Sequence, residues 1–210
     1  MDSQQKILND NFVCCVKENN IAKVKKSLEA GADVNAVDSE FGRPALMYAI
    51  FNENKDMFQF LLEKGANPNK MADFRGSYFS PLMVCAMMNS YKKASKAQKE
   101  MAQILIEKGA DINATDHHGR TALVLSIYYC QPEMAELLIK NGADVSKAPD
   151  ERATALRIAQ TNWSQRQDFK NVFVLLEQKN GKVQSPFAKP IIKQEVKLSI
   201  DKMTYQNEKN

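Results

Sequence analysis

His117 and His118 are the chain's two histidines, and they are adjacent. With Asp116 before them and Asp111 close by, two imidazoles and two carboxylates fall within eight residues of "ADINATDHHGRTALVLS". Such a set could hold a metal ion or act as an acid–base pair. The spacing argues otherwise. Neighbouring residues at the tip of a turn are expected to diverge, and tetrahedral zinc needs four protein ligands, or three plus water. Nor does either imidazole have an evident path to Cys130 as a nucleophile. The reading is an exposed turn tip in which Asp116 accepts hydrogen bonds from the turn backbone. No metal, cofactor or catalytic residue is expected, and no glycine-rich phosphate loop follows a strand. Cys14, Cys15, Cys85 and Cys130 form no C-x-x-C pair, which suits a reducing cytoplasm. Cys15 and Cys85 read as buried small apolar residues, and Cys130 as an exposed loop residue.

The elements that position these residues are marked by glycine. Four near-identical phrases begin at Gly31, Gly65, Gly109 and Gly142, spaced by 34, 44 and 33 residues. Each follows an apolar helical run ("KKSLEA", "FLLEK", "ILIEK", "LLIKN"), where glycine supplies the left-handed residue that closes a helix. Gly42, Gly76 and Gly119 recur downstream of these phrases in polar segments that read as tight turns. A short apolar helix follows each turn: "RPALMYAI", "SPLMVCAM", "RTALVLSI", "ATALRIAQ". Ser80, Thr121 and Thr154 suit its N-cap, and Pro81 its first position. Each unit therefore reads turn, short helix, loop, longer helix, glycine stop. One unit cannot bury its apolar face alone, but stacked units can.

A period near 33 carrying "GADxN…G-R-T-A-L-x-x-A" resembles the ankyrin repeat, over roughly residues 10–180. The resemblance implies an all-α solenoid of about five helix pairs with β-turn or hairpin loops. Residues 1–181 would form the repeat domain, in units of approximately 10–31, 32–65, 66–109, 110–142 and 143–181. The first unit has a helix pair without a turn and looks like a cap, with Lys17, Lys23, Lys25 and Lys26 on a polar outer face. In the last, Arg152 replaces the turn glycine and the outer helix, near "FKNVFVLLEQ", starts late. The family's histidine site holds Met47, Met83, Val124 and Arg157, so apolar packing must substitute for its side-chain network. The third unit carries about eight extra residues around "NSYKKASKAQKE" and a longer turn, "NKMADFRGSYFSP".

In ankyrin-like stacks the turn tips and inner helices line a concave groove. The corresponding sites here are Glu40, Phe41 and Arg43; Phe74, Arg75, Tyr78 and Phe79; and His117, His118 and Arg120 at the tips. The inner helices add Tyr48, Phe51 and Asn52, then Met87 and Met88, then Tyr128 and Tyr129. Tyr, Phe, Met and Arg are enriched in interface cores. Inter-repeat core positions are already supplied by Leu46, Ala49, Leu82 and Leu123, although some groove residues, Tyr48 foremost, could pack between units instead. The expected function is a non-catalytic scaffold or adaptor that binds a protein partner, the chain being monomeric alone. The rival readings are a thiol-based sensor or enzyme, and a nucleic-acid binder using the lysines of the insertion and tail.

Bulk properties agree. A net charge of +4 is mild, and +3 of it lies in residues 182–210, so no dedicated nucleic-acid surface is expected. Lys92, Lys93, Lys96 and Lys99 read as a solvated helix face. The start "MDSQQKILNDNF" has no signal-peptide h-region, and no apolar run is long enough to span a bilayer, so a cytoplasmic protein is expected, with nuclear or host-delivered alternatives open. After "EQKNGK" the repeat pattern ends. Residues 182–210, with Pro186, Pro190 and the alternating "EVKLSI", read as a polar, basic tail that is disordered or extended.

Overall fold

The structure, a computed structural model, describes residues 3–74, 77–88, 94–148, 154–163 and 167–180. The readings made for the 182–210 tail, for Arg75, Gly76 and Arg152, and for Lys92 and Lys93 lie outside them. Among the described residues the chain forms ten α-helices in five successive pairs: α1 (Ser3–Lys17) and α2 (Ile21–Glu29); α3 (Ala45–Phe51) and α4 (Lys55–Glu63); α5 (Pro81–Met87) and α6 (Lys96–Glu107); α7 (Ala122–Tyr128) and α8 (Pro132–Lys140); α9 (Ala155–Trp163) and α10 (Lys170–Asn180). The long turn before α5 is a hairpin of β1 (Ala72–Phe74) and β2 (Ser77–Phe79), antiparallel with Asp73 opposite Tyr78. A 3-10 turn, Gln167–Phe169, precedes α10, matching the late start read there.

The helix boundaries follow from local chemistry. Thr121 Oγ1 accepts the Val124 amide, Ser80 Oγ that of Met83 and Thr154 Oγ1 that of Arg157. Asn20 and Asn54 cap the outer helices α2 and α4, and Ser95 with Gln98 forms a capping box on α6. At the end of α2, Gly31 has φ +94; its amide bonds Leu28 and that of Ala32 bonds Ser27, the Schellman arrangement. The same pair of bonds recurs at Gly65, Gly109 and Gly142. Three inner helices stop in the same way without glycine: Asn19, Glu53 and Cys130 sit at φ +58, +50 and +58. Left-handed backbone costs a side-chain-bearing residue about 1–2 kcal/mol.

The chain divides into two compact units, Met1–Cys85 with Ser95–Asp111, and Ala86–Ala94 with Ile112–Asn210. In the first, α1 packs on α2 and on α3, α3 on α4, and α4 on α6. Its core includes Phe12, Val16, Leu46, Ile50, Phe58, Leu61, Met101 and Leu105, all fully buried. Burying a phenylalanine or leucine side chain contributes about 1.5–3 kcal/mol, and a lone helix pair could bury few of these. In the second unit, α7 packs on α8 and α9, and α10 on α8 and α9, around Leu123, Ile127, Met134, Leu138, Phe169 and Leu176. Met47, Met83 and Val124, at the site read as apolar, are buried; Arg157 is partly exposed.

Within each unit, successive loops are joined by asparagine. Asn35 Oδ1 accepts the Asn67 amide at 2.7 Å while its Nδ2 donates to the Gly65 carbonyl at 3.3 Å. Asn69 does the same for Asp111 and Gly109, at 2.8 and 3.0 Å, and Asn113 accepts from Asp144 at 2.8 Å. For Asp33 the matching acceptor comes from a helix rather than a loop. Helix α1 divides the task between Gln5, which donates to the Gly31 carbonyl, and buried Asn9, which accepts the Asp33 amide at 2.9 Å. The four-residue spacing puts both side chains on one helix face.

Candidate interaction faces

Each unit presents its own set of turn-tip and inner-helix side chains. In the first unit the turn before α3 is built around Asp38. This buried carboxylate accepts the amides of Glu40, Phe41 and Arg43 and, at 2.6 Å, the Tyr48 hydroxyl. Burial pushes the Asp38 carboxyl up, but the Tyr48 hydroxyl, the Phe41 and Arg43 amides and the nearby Lys17 charge together hold it below its ordinary value. Burial and the same hydrogen bond push the Tyr48 phenol up to about 12. The site of Tyr48 on the inner helix holds Val84, Leu125 and Ile158 in later repeats, all buried. A single polar tip in an aliphatic column is the signal by which sequence alone could have paired Tyr48 with Asp38.

Arg43 engages the Tyr48 hydroxyl from its other side and lies over aromatic rings. Its guanidinium carbon sits 4.6 Å from the Phe41 ring centre and 5.9 Å from that of Phe51. Phe51 meets Tyr48 edge-on at 5.9 Å, and Lys17 Nζ lies 4.7 Å from the Tyr48 ring. Lys17 was read as part of a polar outer face; the end of α1 instead carries it over the inner helix α3. Phe41 is 46% exposed, and Tyr48, Phe51 and Arg43 are half-buried. Asn52 is tied back to the loop after α1, donating to the Val16 and Lys17 carbonyls and to Asn19 Oδ1.

The hairpin divides its candidates. Tyr78 is 51% exposed, whereas Phe79 is 6% exposed and belongs to the core, a correction to its placement at the groove's turn tips. The pleat explains both, since adjacent strand residues point to opposite faces. Phe74 is placed by its backbone in β1, and its side chain lies outside the described residues.

In the second unit, Asp116 accepts the amides of His118 and Arg120, as the turn reading expects. Its other oxygen takes the Arg120 guanidinium, both contacts at 2.7 Å. Arg120 is therefore 5% exposed and holds the turn together, a second correction to the groove assignment. The physical reason is Leu125: it stands where Tyr48 does and has no hydroxyl, so the turn's own arginine satisfies the carboxylate. The two imidazoles do not diverge as expected, their ring centres lying 3.7 Å apart. Burial, with help from Arg120 and His117, lowers the His118 pKa and favours its neutral form. Among the described residues no group of three or more His, Cys, Asp or Glu side chains is placed to hold a metal. Tyr128 and Tyr129 pack edge-on at 5.1 Å and are partly exposed, as are Met87 and Met88. Gln131 reaches back to the Met88 carbonyl at 3.4 Å.

The cysteines divide by environment. Cys85 is fully buried, which pushes its thiol up to about 12. Cys14 is exposed, and slight burial together with Glu18 raises its pKa; both shifts disfavour a thiolate. Cys15 is half-buried rather than core, and Cys130 is likewise partly exposed. No helix among the described residues is long and apolar enough to cross a membrane.

Comparison with known proteins agrees with this architecture. A family model of ankyrin repeats, in three copies, matches residues 12–116 and 91–149. Such repeats are generally non-enzymatic protein–protein interaction modules. The chain is 30% identical over 118 residues to an ankyrin repeat-containing protein of Treponema pallidum (strain Nichols), covering 56% of this chain and 36% of that one. It is 29% identical over 99 residues to the B-cell lymphoma 3 protein homolog of Mus musculus, covering 47% and 20%. To the ankyrin repeat and SOCS box protein 6 of Homo sapiens it is 33% identical over 99 residues, covering 46% and 21%. The match thus spans little more than a third of the Treponema protein and about a fifth of the other two. The five helix pairs, the glycine stops, the asparagine links between loops and the family match lead to one assignment: the chain belongs to the ankyrin repeat family.

Proposed function

We propose that this chain is a non-catalytic adaptor that binds a protein partner through the turn tips and inner helices of its units. One observation carries the reading. Phe41, Tyr48 and Phe51 in the first unit, and Met87, Met88, Tyr128 and Tyr129 in the second, stay partly exposed although buried aliphatic residues already fill the core beneath them. Large apolar side chains grouped on a surface mark interaction sites, and Tyr, Phe and Met are the types that anchor interfaces. Tyr78 and the closely apposed His117–His118 tip add polar aromatic edges. Arg120 and Phe79 are excluded from the set by their burial. The repeat family supports a protein as the class of partner, and the four free thiols suit a reducing compartment such as the cytoplasm.

Site-resolved photocrosslinking tests the proposal. A benzophenone amino acid replaces Phe51, Tyr128 or, as an outer-helix control, Phe60, in the full chain within its source cells. Adducts to one protein from positions 51 and 128, absent at position 60, are expected. Adducts formed only from position 60, or none from any position, would overturn the reading.

A further inference from the structure

We propose that residues 195–200 of this chain's own tail lie against the open side of the last helix pair and close the second unit. In that unit α9 packs on α7, α10 on α8, and α9 and α10 on each other. No helix pair follows α10 among the described residues. One column of the inner helices registers the change. Leu46, Leu82 and Leu123, each followed in the chain by another pair, are buried, whereas Leu156 at the same site of α9 is half-buried. The outer helices break pattern at the same place. After the buried residues Met57 and Phe58 comes Gln59; after Met101 and Ala102, Gln103; after Met134 and Ala135, Glu136. After Val172 and Phe173 comes Val174, an apolar side chain that is 43% exposed, with Leu175 half-buried next to it. The end of a solenoid needs a polar outer face or a cover, and these side chains are not polar.

The chain itself supplies the occupant. Residues 181–210 follow directly from Asn180, and "EVKLSI" at 195–200 alternates apolar with polar. In an extended backbone Val196, Leu198 and Ile200 share one face, leaving Lys197 and Ser199 on the other. That is the pattern of a strand with one face buried. Reach is ample: Val174 lies about 9 Å back along α10 from Asn180, and residues 181–194 can extend to about 45 Å. The tether also favours this segment over a second copy of the chain, because it holds the segment at an effective concentration on the order of millimolar. Charge does not choose the occupant. Lys170 and Glu177 share the face of Val174, about one turn away on either side, and offset each other. The selection is made by apolar surface.

The test uses the full chain. A benzophenone amino acid at position 174 should crosslink to residues 195–200 of the same molecule, mapped by mass spectrometry of the digest. Mixing isotope-labelled with unlabelled chain separates adducts within one molecule from adducts between two. The same probe at position 59, the matching site of α4, should give no such adduct. Val196→Ser with Leu198→Ser and Ile200→Ser should abolish the adduct at 174. It should also speed amide exchange in α9 and α10 about tenfold and lower the melting temperature by about 5 °C. Phe187→Ser with Ile191→Ser and Ile192→Ser removes apolar side chains from the linking residues instead, and should change none of the three readouts. No adduct from position 174, an adduct to a second copy, or one to residues other than 195–200 overturns the proposal. So does amide exchange unchanged by the first triple variant, or an equal effect of the two.

Discussion

Replacing Tyr48 with phenylalanine removes one hydroxyl and isolates the link between the Asp38 turn and helix α3. Phenylalanine keeps the ring and removes only its polar tip. What is lost is a 2.6 Å hydrogen bond to a buried, ionised carboxylate that keeps its three amide donors. Hydrogen bonds to charged groups contribute about 1.5–3 kcal/mol, against about 0.5–1.5 kcal/mol for neutral pairs. In an Arg43→Gln background, which keeps the turn's own arginine from replacing the hydroxyl as Arg120 does on Asp116, Tyr48→Phe should therefore destabilise the protein by about 2 kcal/mol at neutral pH. The pH dependence carries the sharper test. Asp38 has a folded-state pKa below its ordinary value. Its contribution is thus complete above the unfolded-state pKa and is lost as pH falls through the folded one. The variant lacks the hydroxyl that helps lower this pKa, so its Asp38 protonates at higher pH. The gap between Arg43→Gln and the double variant should narrow toward the neutral-pair value as the solution is acidified. Other carboxylates are common to both proteins and cancel in the difference. Urea melts across the carboxylate range measure it. A gap that is constant with pH, or below about 0.5 kcal/mol throughout, would refute the claim that Tyr48 stabilises an ionised Asp38.

Three further outcomes are expected. Arg120→Met strips the buried Asp116 carboxylate of its ion pair and should cost about 3–5 kcal/mol in denaturant melts; a loss below about 1 kcal/mol would return Arg120 to the exposed tip. Cys130→Gly relieves a left-handed backbone but adds freedom to the unfolded chain, for a net gain of about 0.5 kcal/mol; a lower melting temperature would contradict this. Tyr129→Ala and Met88→Ala should each weaken binding of the crosslinked partner by about 1–3 kcal/mol in calorimetric titrations. Each should cost less than about 1 kcal/mol of stability, whereas strong destabilisation with unchanged binding per folded molecule would make both residues core.

The repeat itself was legible without coordinates because its signals are local. A glycine past an apolar run closes a helix through its own backbone freedom, and a threonine or serine before one caps it, whatever packs nearby. Gly31, Ser80, Thr121 and the order of helices could all be read in this way. So could the Asp116 turn, whose amide bonds span only four residues.

The fate of side chains with two available partners was not local. Arg43 and Arg120 follow the same turn glycine, yet one lies over aromatic rings and the other is buried on an aspartate. Tyr48 brings a hydroxyl to the first turn only once the inner helix has packed beside it, and Leu125, at the same site in the second unit, has none to bring. Phe79 and Tyr78 are neighbours of similar size, and the direction of the hairpin's pleat sends one inward and the other out. Asn9 reads as an ordinary polar helix residue until the fold brings Asp33, 24 residues on, within 2.9 Å of it. The sequence by itself determined the period, the caps and the stops, because those depend on torsion angles and near neighbours. Tertiary structure decided which polar groups are buried together and which aromatic faces stay open, because a charge or a ring is settled by whatever the rest of the chain brings against it.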